Sequence, residues 1–162
     1  MMRIKSRVFV AATGFLVMAA GYGNAADRLG IRPGMSLAEV DAVLKARCPS
    51  YVVNGDAERF VVCSMGDDPE ASEIRATISP KDRTYYIAWH EASQSEVLNY
   101  TEQVATDLGF SGQGKTCKFY DYELRCWKGK NGTVLFSGER DARQRYVSYL
   151  INETIETEDA EQ

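Results

Sequence analysis

The 162-residue chain has 19 lysines and arginines against 23 aspartates and glutamates, a net charge of −4, and it contains four cysteines and one histidine. This balance argues against nucleic acid as a partner, because phosphate contacts demand a cationic surface. A single imidazole leaves little for hydrolytic or zinc chemistry, and the length suits one compact domain or two small ones sharing a core.

At the N-terminus, Arg3, Lys5 and Arg7 precede the apolar run from Val8 to Ala20, which ends in Gly23-Asn24-Ala25. This is the pattern of a secretory signal peptide over residues 1–25, cleaved near Ala25. The run is shorter than the ~20 apolar residues of a membrane span, and no cysteine follows it for acylation. The expectation is a soluble periplasmic or secreted protein with no integral membrane anchor. Cleavage leaves about 137 residues and moves the net charge to about −7.

The run Gly30-Ile31-Arg32-Pro33-Gly34-Met35-Ser36-Leu37-Ala38-Glu39-Val40 reads as a turn, a helix cap and a helix start. Pro33-Gly34 suits a type II turn. Ser36 and Glu39 have capping-box spacing, with Met35 and Val40 placed as a hydrophobic staple. A helix is predicted from Ser36 to about Arg47, stopped by Pro49.

This stretch resembles the opening of domains in the beta-lactamase inhibitory protein family and in related small lipoproteins of outer-membrane assembly. In those proteins, a Gly-x-x-x-Gly-Met-Ser/Thr-x-x-Glu-Val run starts a helical segment packed on a small antiparallel sheet. The resemblance implies two such units with a disulfide in each, and an inhibitor, immunity-type or envelope-assembly role.

Strands are predicted at Tyr51–Val53, Arg59–Met65, Ile74–Ile78 and Thr84–His90, separated by turn residues such as Asn54-Gly55 and Pro80-Lys81-Asp82. Ser93 and Glu96 then repeat the cap spacing and open a second helix that ends at Gly109. Four more strands follow, at Thr116–Tyr120, Glu123–Trp127, Thr133–Ser137 and Arg145–Ile151. The expected fold is therefore α+β: two tandem helix-plus-four-stranded antiparallel repeats, residues 26–92 and 93–151, joined into a continuous sheet with the helices on one face. Residues 152–162, rich in Glu and Asp, are expected to be a disordered acidic tail.

Four cysteines in an exported chain read as two disulfides. Three connectivities are possible, and the spacings contain no Cys-x-x-Cys pair to suggest zinc. Hairpin registers that set Cys63 opposite Cys48 and Cys126 opposite Cys117 select Cys48–Cys63 and Cys117–Cys126.

Gly109-Phe110-Ser111-Gly112-Gln113-Gly114-Lys115-Thr116 spells a phosphate-binding loop, but a helix is predicted before it and a strand after, the reverse of what phosphate cradling requires. No nucleotide and no cofactor are expected. With one histidine, no Gly-x-Ser-x-Gly elbow and oxidised cysteines, the chain is read as a non-enzyme.

Strand alternation supplies the remaining argument. If Cys117, Phe119, Leu124 and Cys126 face the helices, Lys118, Tyr120, Arg125 and Trp127 face outward. The same reasoning places Ile74, Ala76, Ile78, Val147, Tyr149 and Ile151 inside, and Tyr51, Phe60, Tyr86, His90 and Tyr146 outside. Aromatic residues beside Arg and Lys compose a protein-recognition surface. The expected function is binding of another envelope or secreted protein. The alternative is a carrier holding a small apolar ligand between helices and sheet.

Overall fold

The computed structural model describes residues 29–65, 73–91, 100–139 and 146–160. The expected signal segment, the second cap at Ser93 and Glu96, and the loop from Gly66 to Glu70 lie outside the described residues. In chain order the elements are α1 (Leu37–Leu44), β1 (Ser50–Asn54), β2 (Arg59–Ser64), β3 (Glu73–Ile78), β4 (Thr84–Glu91) and α2 (Tyr100–Asp107). They are followed by β5 (Lys115–Phe119), β6 (Tyr122–Lys128), β7 (Thr133–Glu139), β8 (Tyr146–Asn152) and α3 (Glu153–Ala160).

The cap before α1 forms as the sequence dictates. Ser36 Oγ accepts from the Glu39 amide at 3.3 Å, and the Ser36 amide donates to Glu39 Oε2 at 2.8 Å. The hydrogen bond from that amide is the main reason the Glu39 carboxyl is held below its ordinary range. Gly34, at φ +93°, completes the preceding turn, and its amide bonds the Thr84 carbonyl at 2.7 Å, seating the turn on the start of β4.

The eight strands form one antiparallel sheet in the order β1-β2-β3-β4-β8-β7-β6-β5. This corrects the expected pair of tandem helix-plus-four-strand repeats: among the described residues a single sheet carries three short helices, one of them unforeseen. The reason lies in β4 and β8, whose apolar residues occupy both alternating sets. Such strands bury apolar side chains on both faces and so favour the middle of a sheet, where they pair with each other, Ile87 opposite Leu150 and Ala88 opposite Tyr149. The stretch containing α2 carries the chain to the far edge, and three consecutive antiparallel pairings bring it back.

One row of side chains crosses six strands: Val61, Ala76, Ile87, Leu150, Leu135 and Trp127. This row joins Val40 and Leu44 of α1 and Val104 and Ala105 of α2 in the main core. The opposite face carries a second cluster, Ala88, Leu124, Val147 and Tyr149, flanked by Tyr86, Phe119, Tyr122 and Phe136.

The tail expected to be disordered is helix α3. Asn152 Oδ1 caps it by accepting from the Ile155 amide at 3.0 Å, and Ile155 is buried. Asp159, only 4% exposed, accepts from Ser79 Oγ at 2.5 Å and from Arg83 Nε at 3.1 Å, and Lys81 Nζ donates to the Glu158 carbonyl at 2.7 Å. A hydrophilic helix is thus held by one isoleucine and by ions on the β3–β4 turn. Composition alone conceals this, because the partners of its acids lie 75 to 80 residues earlier.

Bonding to Arg83 is the main cause that holds the Asp159 carboxyl at about 2, against an ordinary 3.8. The folded value lies below the unfolded one, so the stabilisation is complete above about pH 4 and is lost as pH falls toward 2. Melting temperature should fall over this window, and Asp159→Asn should remove that part of the fall. An unchanged acid profile in Asp159→Asn would show that the clasp does not contribute.

Candidate binding face

The two faces of the sheet are set by the β5–β6 hairpin. In it Lys115 pairs with Cys126, Cys117 with Leu124, and Phe119 with Tyr122, a slip of two residues from the register expected. Such a slip preserves alternation, so Cys117, Phe119, Leu124 and Cys126 do share one face. They lie opposite the helices, however, and the Trp127 side lies beneath them.

Three contacts fix that assignment. Trp127 is 4% exposed and packs in the main core, and its Nε1 donates to the Gly112 carbonyl at 3.2 Å. A Cβ at Gly114 would come within 2.5 to 2.9 Å of the indole ring. Arg125, on the same face, forms an ion pair with Glu102 of α2 at 2.7 Å. The phosphate-loop look-alike is therefore the bed on which Trp127 lies. As expected, a helix precedes it and a strand follows it.

Both disulfides have the expected connectivity, Cys48–Cys63 and Cys117–Cys126, with Cα atoms 5.4 and 5.9 Å apart. The registers differ from those expected, because Cys63 pairs with Tyr51 and Cys48 precedes the strand. The shift is an odd number of residues, which flips β1: Tyr51 turns to the helix side, packs against the main core and donates to Asp41 of α1. Burial, then that bond, raises its pKa. Tyr51 and Trp127 are thus removed from the candidate surface, as is Arg125 with its partner on α2. Lys118, exposed on the edge strand β5, alternates with Cys117 and Phe119 and so falls on the helix side too, and Tyr120 occupies the hairpin turn at φ +52°, 81% exposed. Tyr146 begins β8, opposite Glu91 and Glu139.

Phe60, Tyr86 and His90 do lie on the side away from α1 and α2, where Ala88, Leu124 and Val147 are buried at the centre and Phe60 is exposed at the rim. Phe60 pairs with Thr77, and Thr77 with Tyr86, while His90, half-buried, pairs with Val147. Val147, Tyr149 and Ile151 join them here instead of facing the helices. The centre of this face is a run of rings: Phe119 lies 4.5 Å from Phe136 and 4.8 Å from Tyr149, Tyr149 lies 6.1 Å from Tyr86, and Tyr120 stands edge-on to Phe119 at 4.8 Å. Aromatic pairs at such spacings add to plain area burial. Burial is also the chief cause of the raised Tyr86 pKa.

By register, Lys115, Lys128 and Arg75 share this face with the rings. Glu73, the carboxylate on the same side of β3, is ion-paired with Arg75. Sequence reasoning missed Phe119, Phe136, Tyr122 and Tyr149 as surface candidates. The available signal was Trp127: of the two alternating sets in β6, the one containing the larger indole had the stronger claim to the core.

Among the described residues no helix is long and apolar enough to cross a membrane. No protein-family model, curated protein or solved structure matches this chain, so its fold and face stand on their own geometry.

Proposed function

We propose that the chain is an exported, non-catalytic binding protein whose contact surface is the open sheet face centred on Tyr86, Phe119, Phe136 and Tyr149. The observation that carries this reading is the run of aromatic rings on the face opposite α1 and α2, in which Tyr86, Phe119 and Phe136 are half-buried around a buried Tyr149. Phe60, 45% exposed, and Tyr120 flank the run as accessible anchors. Rigid aromatic groups on a sheet bury large area at small entropic cost and dominate recognition energetics. Export is supported by the Arg3-to-Ala25 pattern and by two disulfides suited to an oxidising compartment.

The partner is another envelope or secreted protein. It offers apolar side chains to the rings and acidic groups to Lys115 and Lys128, the lysines that strand register places on this face.

Affinity capture from envelope extract tests this reading. The wild-type protein should retain a partner that the Phe60→Ala/Tyr120→Ala double variant loses, at a cost of about 2 kcal/mol or more in affinity. The melting temperature should be unchanged, because both side chains are exposed. Gln103→Ala, an exposed position on α2, should retain the partner. Retention by the double variant together with loss by Gln103→Ala would move the contact surface to the helix side.

A further inference from the structure

The two edges of the sheet are built differently. Strand β5 carries exposed Lys115 and Lys118, the kind of edge charge that discourages strand pairing. Strand β1, Ser50-Tyr51-Val52-Val53-Asn54, carries no charge and no proline. Of the five large apolar side chains exposed among the described residues, four belong to β1, β2 or the residue after it: Val52 at 44%, Val53 at 38%, Phe60 and Met65. Exposed apolar surface thus gathers at the edge where outward backbone N–H and C=O groups are open to a further strand.

We propose that the protein self-associates by antiparallel pairing of β1 with β1 of a second copy about a two-fold axis at Val52. The strand is self-complementary in this register. Val52 meets Val52, Tyr51 meets Val53 of the other copy on the helix side, and Ser50 meets Asn54. Aromatic with β-branched and polar with polar are favourable cross-strand pairs.

The flanking charges fit the same arrangement. Lys45 and Asp56 are exposed before and after β1, beside Arg47, which donates to the Leu29 carbonyl at 3.1 Å, and Glu58, which accepts from the Tyr85 hydroxyl. Antiparallel pairing places the basic end of each copy beside the acidic turn of the other, and two-fold symmetry makes that contact twice. The product is a sixteen-stranded sheet, twice the eight of one copy. Both open faces then lie on one side, because pairing about an axis normal to the sheet preserves facing.

Sedimentation equilibrium of the purified protein tests this proposal. The wild type should approach the dimer mass as concentration rises, and Val52→Lys should remain monomeric and melt where the dilute, monomeric wild type does. Asp56→Arg should weaken the dimer about tenfold, and adding Lys45→Glu should restore it by exchanging the charges. A wild type that is monomeric at every concentration overturns the proposal, as does a dimer indifferent to Val52→Lys. Should Val52→Lys fail to fold, the charge exchange decides: restoration supports β1 pairing, and no response to Asp56→Arg contradicts it.

Discussion

Trp127→Ala is expected to destabilise the protein by about 3 to 5 kcal/mol, the usual cost of emptying an aromatic site in a packed core. The indole is 4% exposed and ends the row that crosses six strands beneath the helices. Its loss also leaves the Gly112 carbonyl without its donor and opens space above Gly114. Phe119→Ala should cost less, because Phe119 is half-exposed on the open face and its neighbours Phe136 and Tyr149 can close over the gap. Thermal melts of the two variants give the comparison directly. Greater destabilisation by Phe119→Ala would reverse the faces and remove Phe119, Phe136 and Tyr149 from the contact surface.

The reversal of the faces illustrates what alternation can and cannot convey. A period of two says that Cys117, Phe119, Leu124 and Cys126 travel together, and they do. It does not say which set the helices cover. In β7 and β8 both sets are apolar, Val134 and Phe136 against Leu135, Val147 and Tyr149 against Leu150, while in β5 and β6 the more apolar set, Cys117, Phe119, Leu124 and Cys126, lies away from α1 and α2, so pattern alone pointed to the wrong face. In β3, where Ile74, Ala76 and Ile78 lie opposite Arg75 and Thr77 in alternation, the helix side was legible.

Truncation after Asn152 should lower stability by about 2 kcal/mol, the contribution of a buried isoleucine discounted for the ordering of a short helix. For a domain of this size that corresponds to a fall of roughly 5 °C in melting temperature. Ile155 is buried, and the deletion also removes the carboxylates that hold Arg83 and Lys81 on the β3–β4 turn. That turn in turn holds α1 and β2, since Asp82 accepts from the Leu37 amide at 3.0 Å and from Arg59 at 2.7 Å. The effect should therefore reach beyond the tail, with faster amide exchange in the first turn of α1. An unchanged melting temperature would mean that α3 docks without contributing.

All eight strands, the first cap and the cysteine connectivity were legible because each depends on residues near one another in sequence. Hairpin register was not, since loops of two, four or five residues fit the same turn signals. Strand order was not legible either, because neighbours at the sheet centre, β4 and β8, are chosen by tertiary burial. The acidic tail misled for the same reason: its partners Ser79, Lys81 and Arg83 are remote in sequence.

The contact face itself is tested most directly by hydroxyl-radical footprinting of the free and partner-bound protein. Phe60, Tyr86, Phe119 and Tyr120 should be labelled in the free protein and protected in the complex, while Trp127 stays unlabelled in both. Protection confined to α1 and α2, with Tyr86 and Tyr120 labelled equally in the two states, would contradict recognition through the open aromatic face.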